Sequence, residues 1–299
     1  MNNKTRTATA LLLGTGVLLG AYFPLGKLSG QAGIHPVAWS WIISMGAVVV
    51  LGSVVALTRR TIPLTGRHLR YYTLSAAISF VAPNLIMFAA IPRLGAGFTA
   101  ATYTLSPVLT LAFSAVLRLR RPDLTGVLGI VTGLSGALVI VFSRGQVDRP
   151  GDPLWIGIAL LIPVFLAAGN VYRTLDWPKQ ADPLSLAVGS NFFAACMLLV
   201  IGLIGPGPAA LASLLESVPL SAMQMLTSAG MFALFFRLQQ VGGPVFLSQI
   251  GYVGAAVGLV SGTLVLGERY PLMTWLGALV VAVGIALVTY SQAAQDRAR

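Results

Sequence analysis

The sequence predicts an all-α integral membrane protein of ten transmembrane helices, laid out as two inverted five-helix repeats. Three observations carry this reading: the composition, the long uninterrupted apolar runs, and a likeness between the two halves of the chain. Of 299 residues, 56% are hydrophobic and only 9% are charged, whereas a soluble domain carries about 25% charged residues. Water is a poor solvent for such a surface, and hydrocarbon a good one.

Apolar runs bounded by Arg, Lys, Pro and Gly fall at 8–28, 36–58, 69–91, 96–118, 123–143, 153–174, 183–204, 219–238, 243–266 and 271–291. About 20 helical residues cross the roughly 30 Å of hydrocarbon in a bilayer, which each run can do. The first follows Lys4 and Arg6 and is too long for the apolar region of a signal peptide, so it reads as a retained helix. Gln224, Thr227 and Ser228 dilute the eighth run. With ten crossings, Lys27, Arg93, Arg144, Arg149 and Arg269 lie on one side and the other fourteen of the 19 basic residues on the opposite side. Basic residues accumulate in cytoplasmic loops, so both tails, 1–7 and 292–299, are expected in the cytoplasm.

Residues 148 positions apart show the repeat: Gly97 to Ser143 lies over Val245 to Ser291, with Arg121, Gly129, Gly136 and Ser143 matching Arg269, Gly277, Gly284 and Ser291. The expected repeats are 8–143 and 153–291, joined by a loop at 144–152. Five helices per copy is an odd number, so the second copy must be inverted. Glycines at small-xxx-small spacing, Gly16 with Gly20, Gly129 with Gly133, and Gly254 with Gly258 and Gly262, are read as close-packing positions. Gly14-Thr15-Gly16 has no preceding strand and no following acid, so it is not a dinucleotide loop. Pro24, Pro83, Pro107 and Pro163 interrupt spans, as helices around a cavity tolerate.

Asn84, Asn170 and Gln249 are amides within apolar runs and should face the bundle interior, because an unpartnered amide in hydrocarbon costs several kcal/mol. With the hydroxyls of Tyr22, Ser79, Tyr103, Ser106, Tyr172, Ser248 and Tyr252 they form the polar part of a candidate solute-binding lining. Trp41, Met87, Phe88, Phe232 and Phe235 supply its apolar part. Rings with a few amides and hydroxyls suit an amphipathic organic solute better than a bare ion. Trp39, Trp155 and Trp275, near span ends, read as interfacial anchors, and Cys196 as a small core residue.

All eight acidic residues, with His35 and His68, fall at span ends or in loops. Ion-driven pumps place an ionisable group at depth, so movement down a gradient is expected, without coupling through a carboxylate. The sequence offers no metal-ligand cluster, nucleophile and base pair or phosphate-binding loop, so no cofactor, metal or enzymatic activity is expected. A formal charge of +11 spread over short loops is not a nucleic-acid surface. The expected partners are a small solute and the lipid bilayer.

The chain resembles the EamA type of the drug/metabolite transporter superfamily. The resemblance rests on Gly95 to Leu117, with Leu105-Ser106-Pro107-Val108, and on Leu266-Gly267-Glu268-Arg269 followed by Gly277 and Gly284. It implies two inverted five-helix repeats in a bacterial inner membrane, rocking by alternating access around a site formed by helices 1, 3, 4, 6, 8 and 9. The chain departs from the family pattern at Leu119-Arg120-Arg121, where Gly-Glu is common, at Ala255 in place of a proline, and at Trp41 near a common arginine. Among branches it looks like the exporters of aromatic and other hydrophobic amino acids. A multidrug carrier and a nucleotide-sugar carrier are alternatives. The latter calls for cavity cations, for which only Lys27, Arg93, Arg173 and Arg237 stand near. An enzyme acting on lipid-linked substrate is the alternative of another class. The oligomeric state is left open, a monomer being compatible.

Overall fold

The computed structural model describes residues 3–119, 123–143, 153–266 and 271–297. The loop at 144–152, Arg120 with Arg121, and the Gly267-Glu268-Arg269 stretch lie outside the described residues. Helix α1 (Asn3–Gln31) and helix α2 (Pro36–Leu57) form the first hairpin. Pro36 opens α2, and the His35 ring accepts from the Val37 N–H at 3.2 Å, which covers a helix-start donor.

Helix α3 (Gly66–Leu94) contains a π-helical segment at Ala76–Val81, and α4 (Tyr103–Val116) begins with a 3-10 turn at Tyr103–Leu105. Helical hydrogen bonding continues from Ala82 through Thr102, so the gap expected between the third and fourth runs is absent. The chain nevertheless reverses there. The Tyr103 hydroxyl donates to Met87 Sδ at 3.0 Å across sixteen positions, a separation of about 24 Å along a straight helix. Pro92, which has no N–H, lies in this stretch and weakens the ladder where the direction changes.

Helix α5 (Leu124–Ser143) precedes α6 (Pro153–Leu175), which is interrupted at Leu160. Helix α7 (Pro183–Ile204) is capped by Asp182, whose carboxylate accepts from the Ser185 N–H at 3.1 Å. A short helix (Pro208–Ala212) and a 3-10 turn (Ser213–Ser217) lead into α8 (Val218–Ser248), followed by α9 (Ile250–Leu266) and α10 (Leu272–Arg297). The kink in α8 is at Gly243, whose φ of 71° with ψ of −176° favours glycine. The diluted eighth run is helical, and its polar residues bond one another: Gln224 Nε2 donates to Ser228 Oγ at 3.0 Å, inside the bundle.

Among the described residues six helices are long and apolar enough to cross a membrane, and four shorter apolar helices complete ten. Glycine sets the closest helix contacts. A Cβ added to Gly284 of α10 would lie 2.5 Å from the Gly133 nitrogen and 2.7 Å from the Gly129 carbonyl oxygen of α5. Likewise Gly16 and Gly20 of α1 receive Val253 and Val257 of α9. The outer faces carry exposed apolar side chains, among them Val200, Leu203 and Ile204 of α7 and Leu276, Leu279 and Val283 of α10. Hydrocarbon accepts such a surface.

Two expectations are corrected. Trp39 is fully buried and is not an interfacial anchor, because α2 packs against both α7 and α8. Cys196 is exposed and not in the core, on the outer stripe of α7 with Phe192 and Leu199.

The α5–α10 contact yields a stability prediction. Gly284→Val should destabilise the protein by about 1–3 kcal/mol, since only backbone atoms stand in the way. Gly52→Ala, whose nearest neighbour would be Val188 at 3.9 Å, should leave the melting midpoint in detergent nearly unchanged. Equal midpoints for the two variants would refute the packing account.

Candidate functional site

Six helices from both halves, α1, α3, α4, α6, α8 and α9, surround a central cavity that is partly open to the outside. Its apolar wall is formed by Leu19, Phe80, Leu166, Met231, Phe232 and Phe235. Tyr22, Ser79, Asn84, Tyr103 and Ser106 supply polar atoms from the first half, and Asn170, Arg173 and Ser248 from the second.

The helices depart from α geometry where they meet this space. The π segment of α3 carries Ser79 and Phe80 into the lining. The 3-10 turn of α4 begins at Tyr103, and the chain between α8 and α9 makes a turn at Gln249. These two breaks abut, because a Cβ on Gly251 would stand 2.9 Å from the Tyr103 carbonyl oxygen. Discontinuous helices of this kind leave backbone groups that only a protein-lined space can accommodate.

Arg173 dominates the electrostatics. Counted from the sequence both among the basic residues of one membrane side and among the four that stand near a cavity, Arg173 is only 1% exposed and lines the cavity. The physical reason is helix direction. Arg173 lies in the last turn of α6, and helical side chains lean toward the helix N-terminus, here inward. Its Nη1 donates to Ser79 Oγ and its Nη2 to Asn170 Oδ1 at 2.7 Å. The guanidinium carbon stands 4.7 Å from the Phe235 ring centroid and 5.8 Å from that of Phe80. Gly169 makes the approach possible, since a Cβ there would collide with Ser79 Oγ at 2.1 Å. Leu166, Asn170 and Arg173 follow helical spacing, a pattern that could have flagged Arg173 as inward-facing.

Of the residues singled out from the sequence, Tyr22, Ser79, Asn84, Tyr103, Ser106, Asn170, Phe232, Phe235 and Ser248 line the cavity. Phe232 meets Phe80 edge to face at 4.9 Å between ring centroids. Asn170 is largely engaged: its Oδ1 accepts from Arg173 and its Nδ2 reaches Thr110 at 3.5 Å, while Gln239 donates to its backbone carbonyl oxygen at 3.1 Å. Trp41, Met87, Phe88, Gln249 and Tyr252 are outside the lining. Met87 accepts from Tyr103 behind the wall, Phe88 packs beside Gly26, and Trp41 packs against the apolar core. Buried Gln249 turns its Nε2 to the Val245 carbonyl oxygen at 3.4 Å. Tyr252 points away toward α5, donating to the Ile130 carbonyl oxygen at 3.2 Å and covering Gly133. Phe80, which the sequence reading did not single out, joins Ser79 in the lining through the π segment, a helix distortion that the apolar pattern does not encode.

The α3–α6 pair is tied at both ends. At one, Arg70 donates to the Asp176 carboxylate through Nη2 at 2.5 Å and Nε at 3.1 Å, and Tyr172 donates to the same group at 2.7 Å. At the other, the Arg93 guanidinium lies 4.0 Å over the Trp155 ring. Asp176 follows the end of α6, and its carboxyl is held below its ordinary value of 3.8 by the hydrogen bonds from Arg70, with burial opposing.

An all-helical bundle with an apolar exterior and a cavity built by both halves defines a polytopic membrane carrier. Comparison with known proteins places it further: the EamA-like transporter family matches twice, over 6–142 and 153–290, and the chain belongs to that family. A WAT1-related protein of Arabidopsis thaliana is 22% identical over 89% of this chain and 84% of its own length. An inner membrane transporter of Escherichia coli K12, YedA, described as uncharacterized, is 24% identical over 85% of this chain and 81% of its own length. A solved crystal structure superposes with a TM-score of 0.71 at 16% identity, covering 94% of this chain and 98% of that one, a likeness of fold.

The Arg70–Asp176 contact predicts an acid dependence of stability. A carboxyl whose value is depressed in the folded state contributes fully above its ordinary value, and the contribution is lost as pH falls through the folded value. Melting midpoints from pH 7 down to 3 should therefore drop less steeply for Asp176→Asn, which should also melt lower than the parent at pH 7. Parallel curves for the two proteins would refute this role.

Proposed function

We propose that the chain carries small amphipathic metabolites out of the cell, amino acids and their relatives with aromatic or hydrophobic side chains being preferred. The observation that carries this reading is the mixed lining, in which the rings of Phe80, Phe232 and Phe235 stand with the polar side chains of Asn84, Tyr22 and Ser106. A solute with a ring and a polar head matches both kinds of group. A multidrug carrier would share the apolar wall. A nucleotide sugar would bring two phosphates to a lining with one basic residue, Arg173, among those described.

The mechanism follows from the repeat. The halves rock about the abutting breaks at Tyr103 and Gly251, exposing the same cavity to each side in turn. The asymmetry of basic residues supports cytoplasmic termini. The lining has no carboxylate among the described residues, which supports movement down the solute gradient.

Counterflow into proteoliposomes, run with a panel of amino acids, sugars and cationic drugs with and without a pH gradient, tests solute class and coupling together. Phenylalanine and its relatives should exchange without a pH gradient, and Phe235→Ala should raise the half-saturating concentration by about two- to tenfold, the scale of one ring contact. Asn84→Ala should weaken exchange without loss of folded protein. Exchange of sugars alone, or strict dependence on the pH gradient, would overturn the reading.

A further inference from the structure

The guanidinium of Arg173 has more donors than the protein uses. It has five N–H donors; one goes to Ser79 and one to Asn170, and Nε is buried with no hydrogen-bond partner among the described residues. No carboxylate pairs with it among those residues, since the nearby Asp176 is held by Arg70 and Tyr172. A buried cation without an opposite charge is strongly disfavoured, and two aromatic faces and two neutral acceptors offset only part of that. The arrangement is nevertheless held firmly: Gly169 admits Ser79, Asn170 is fixed by Thr110, and Phe235 covers one face.

We infer that Arg173 is the anchor for an anionic head group on the transported solute, and that the site selects carboxylate-bearing solutes over amines and neutral analogues. The inference rests on the proposed amphipathic solute and deepens it. An incoming carboxylate would take the unused donors of Arg173 while the solute's apolar body lies on Phe232 and Phe235. Any ammonium group would meet only neutral oxygens, from Asn84, Tyr22 and Ser248, so it adds little to recognition. Aromatic acids lacking an amine should bind about as well as the matching amino acids. Aromatic amines lacking a carboxylate should not.

The test uses the purified full chain and three probes of one shape: 3-phenylpropionate, 3-phenylpropionamide and phenethylamine. Hexanoate and methyl phosphate serve as anions without a ring. In thermal-shift titrations 3-phenylpropionate should bind about tenfold or more tightly than the amide or the amine, the factor expected for a charge-assisted hydrogen bond. Arg173→Gln should abolish that preference while keeping a monodisperse, cooperatively melting protein, and Arg173→Lys should restore part of it. Should Arg173→Gln fail to fold, the comparison of the three probes on the parent protein decides by itself. Equal affinity for carboxylate and amide, or an unchanged preference in a folded Arg173→Gln, would overturn the inference. Stabilisation by hexanoate or methyl phosphate with none by any ring-bearing probe would sustain the anion anchor and overturn the aromatic preference. No stabilisation by any anion would overturn the anchor.

Discussion

In hydrocarbon a backbone N–H or C=O has no solvent to pair with, so a chain crossing it must supply its own partners at every residue. That constraint accounts for the helical continuity of this protein, which extends even through the reversal between α3 and α4. It also gives meaning to the exceptions. The π segment at Ala76–Val81, the 3-10 turn at Tyr103–Leu105 and the turn at Gln249 border one cavity. These three irregularities lie where protein or an internal space can answer them.

Glycine lets the helices come close enough to enclose that space. The Gly129, Gly133 and Gly284 contacts lock α5 to α10 backbone to backbone, while Gly16 and Gly20 bring α1 onto α9. Gly169 has a different task, clearing room for Ser79 to reach Arg173. One small residue thus connects helix packing directly to the charge in the cavity. Arg70 contributes from outside by engaging Asp176, which leaves the Arg173 charge to the cavity.

Much of the candidate site was legible because amides and tyrosines within apolar runs have few places to go. Asn84, Asn170 and Gln249 are all buried, as the cost of an unpaired amide requires. Which of them meets the cavity was not legible. Gln249 sits at a helix break with its side chain turned to its own backbone, and Tyr252, three positions on, covers Gly133 on another helix. A helix turns about 100° per residue, so small changes at a break redirect every side chain beyond it.

Composition, run length and the likeness of the two halves by themselves determined the solvent, the helical class, the number of spans and the twofold repeat, because each is a property summed over many residues and tolerant of local error. Only the tertiary structure decided the fate of single groups. Arg173 looked like a loop charge because it stands at the end of an apolar run, yet the lean of its side chain and the space beside Gly169 carry it inward. Trp39 and Cys196 exchanged their expected places for the same reason: burial depends on which neighbouring helix covers a face, and that choice is made by packing across the whole bundle.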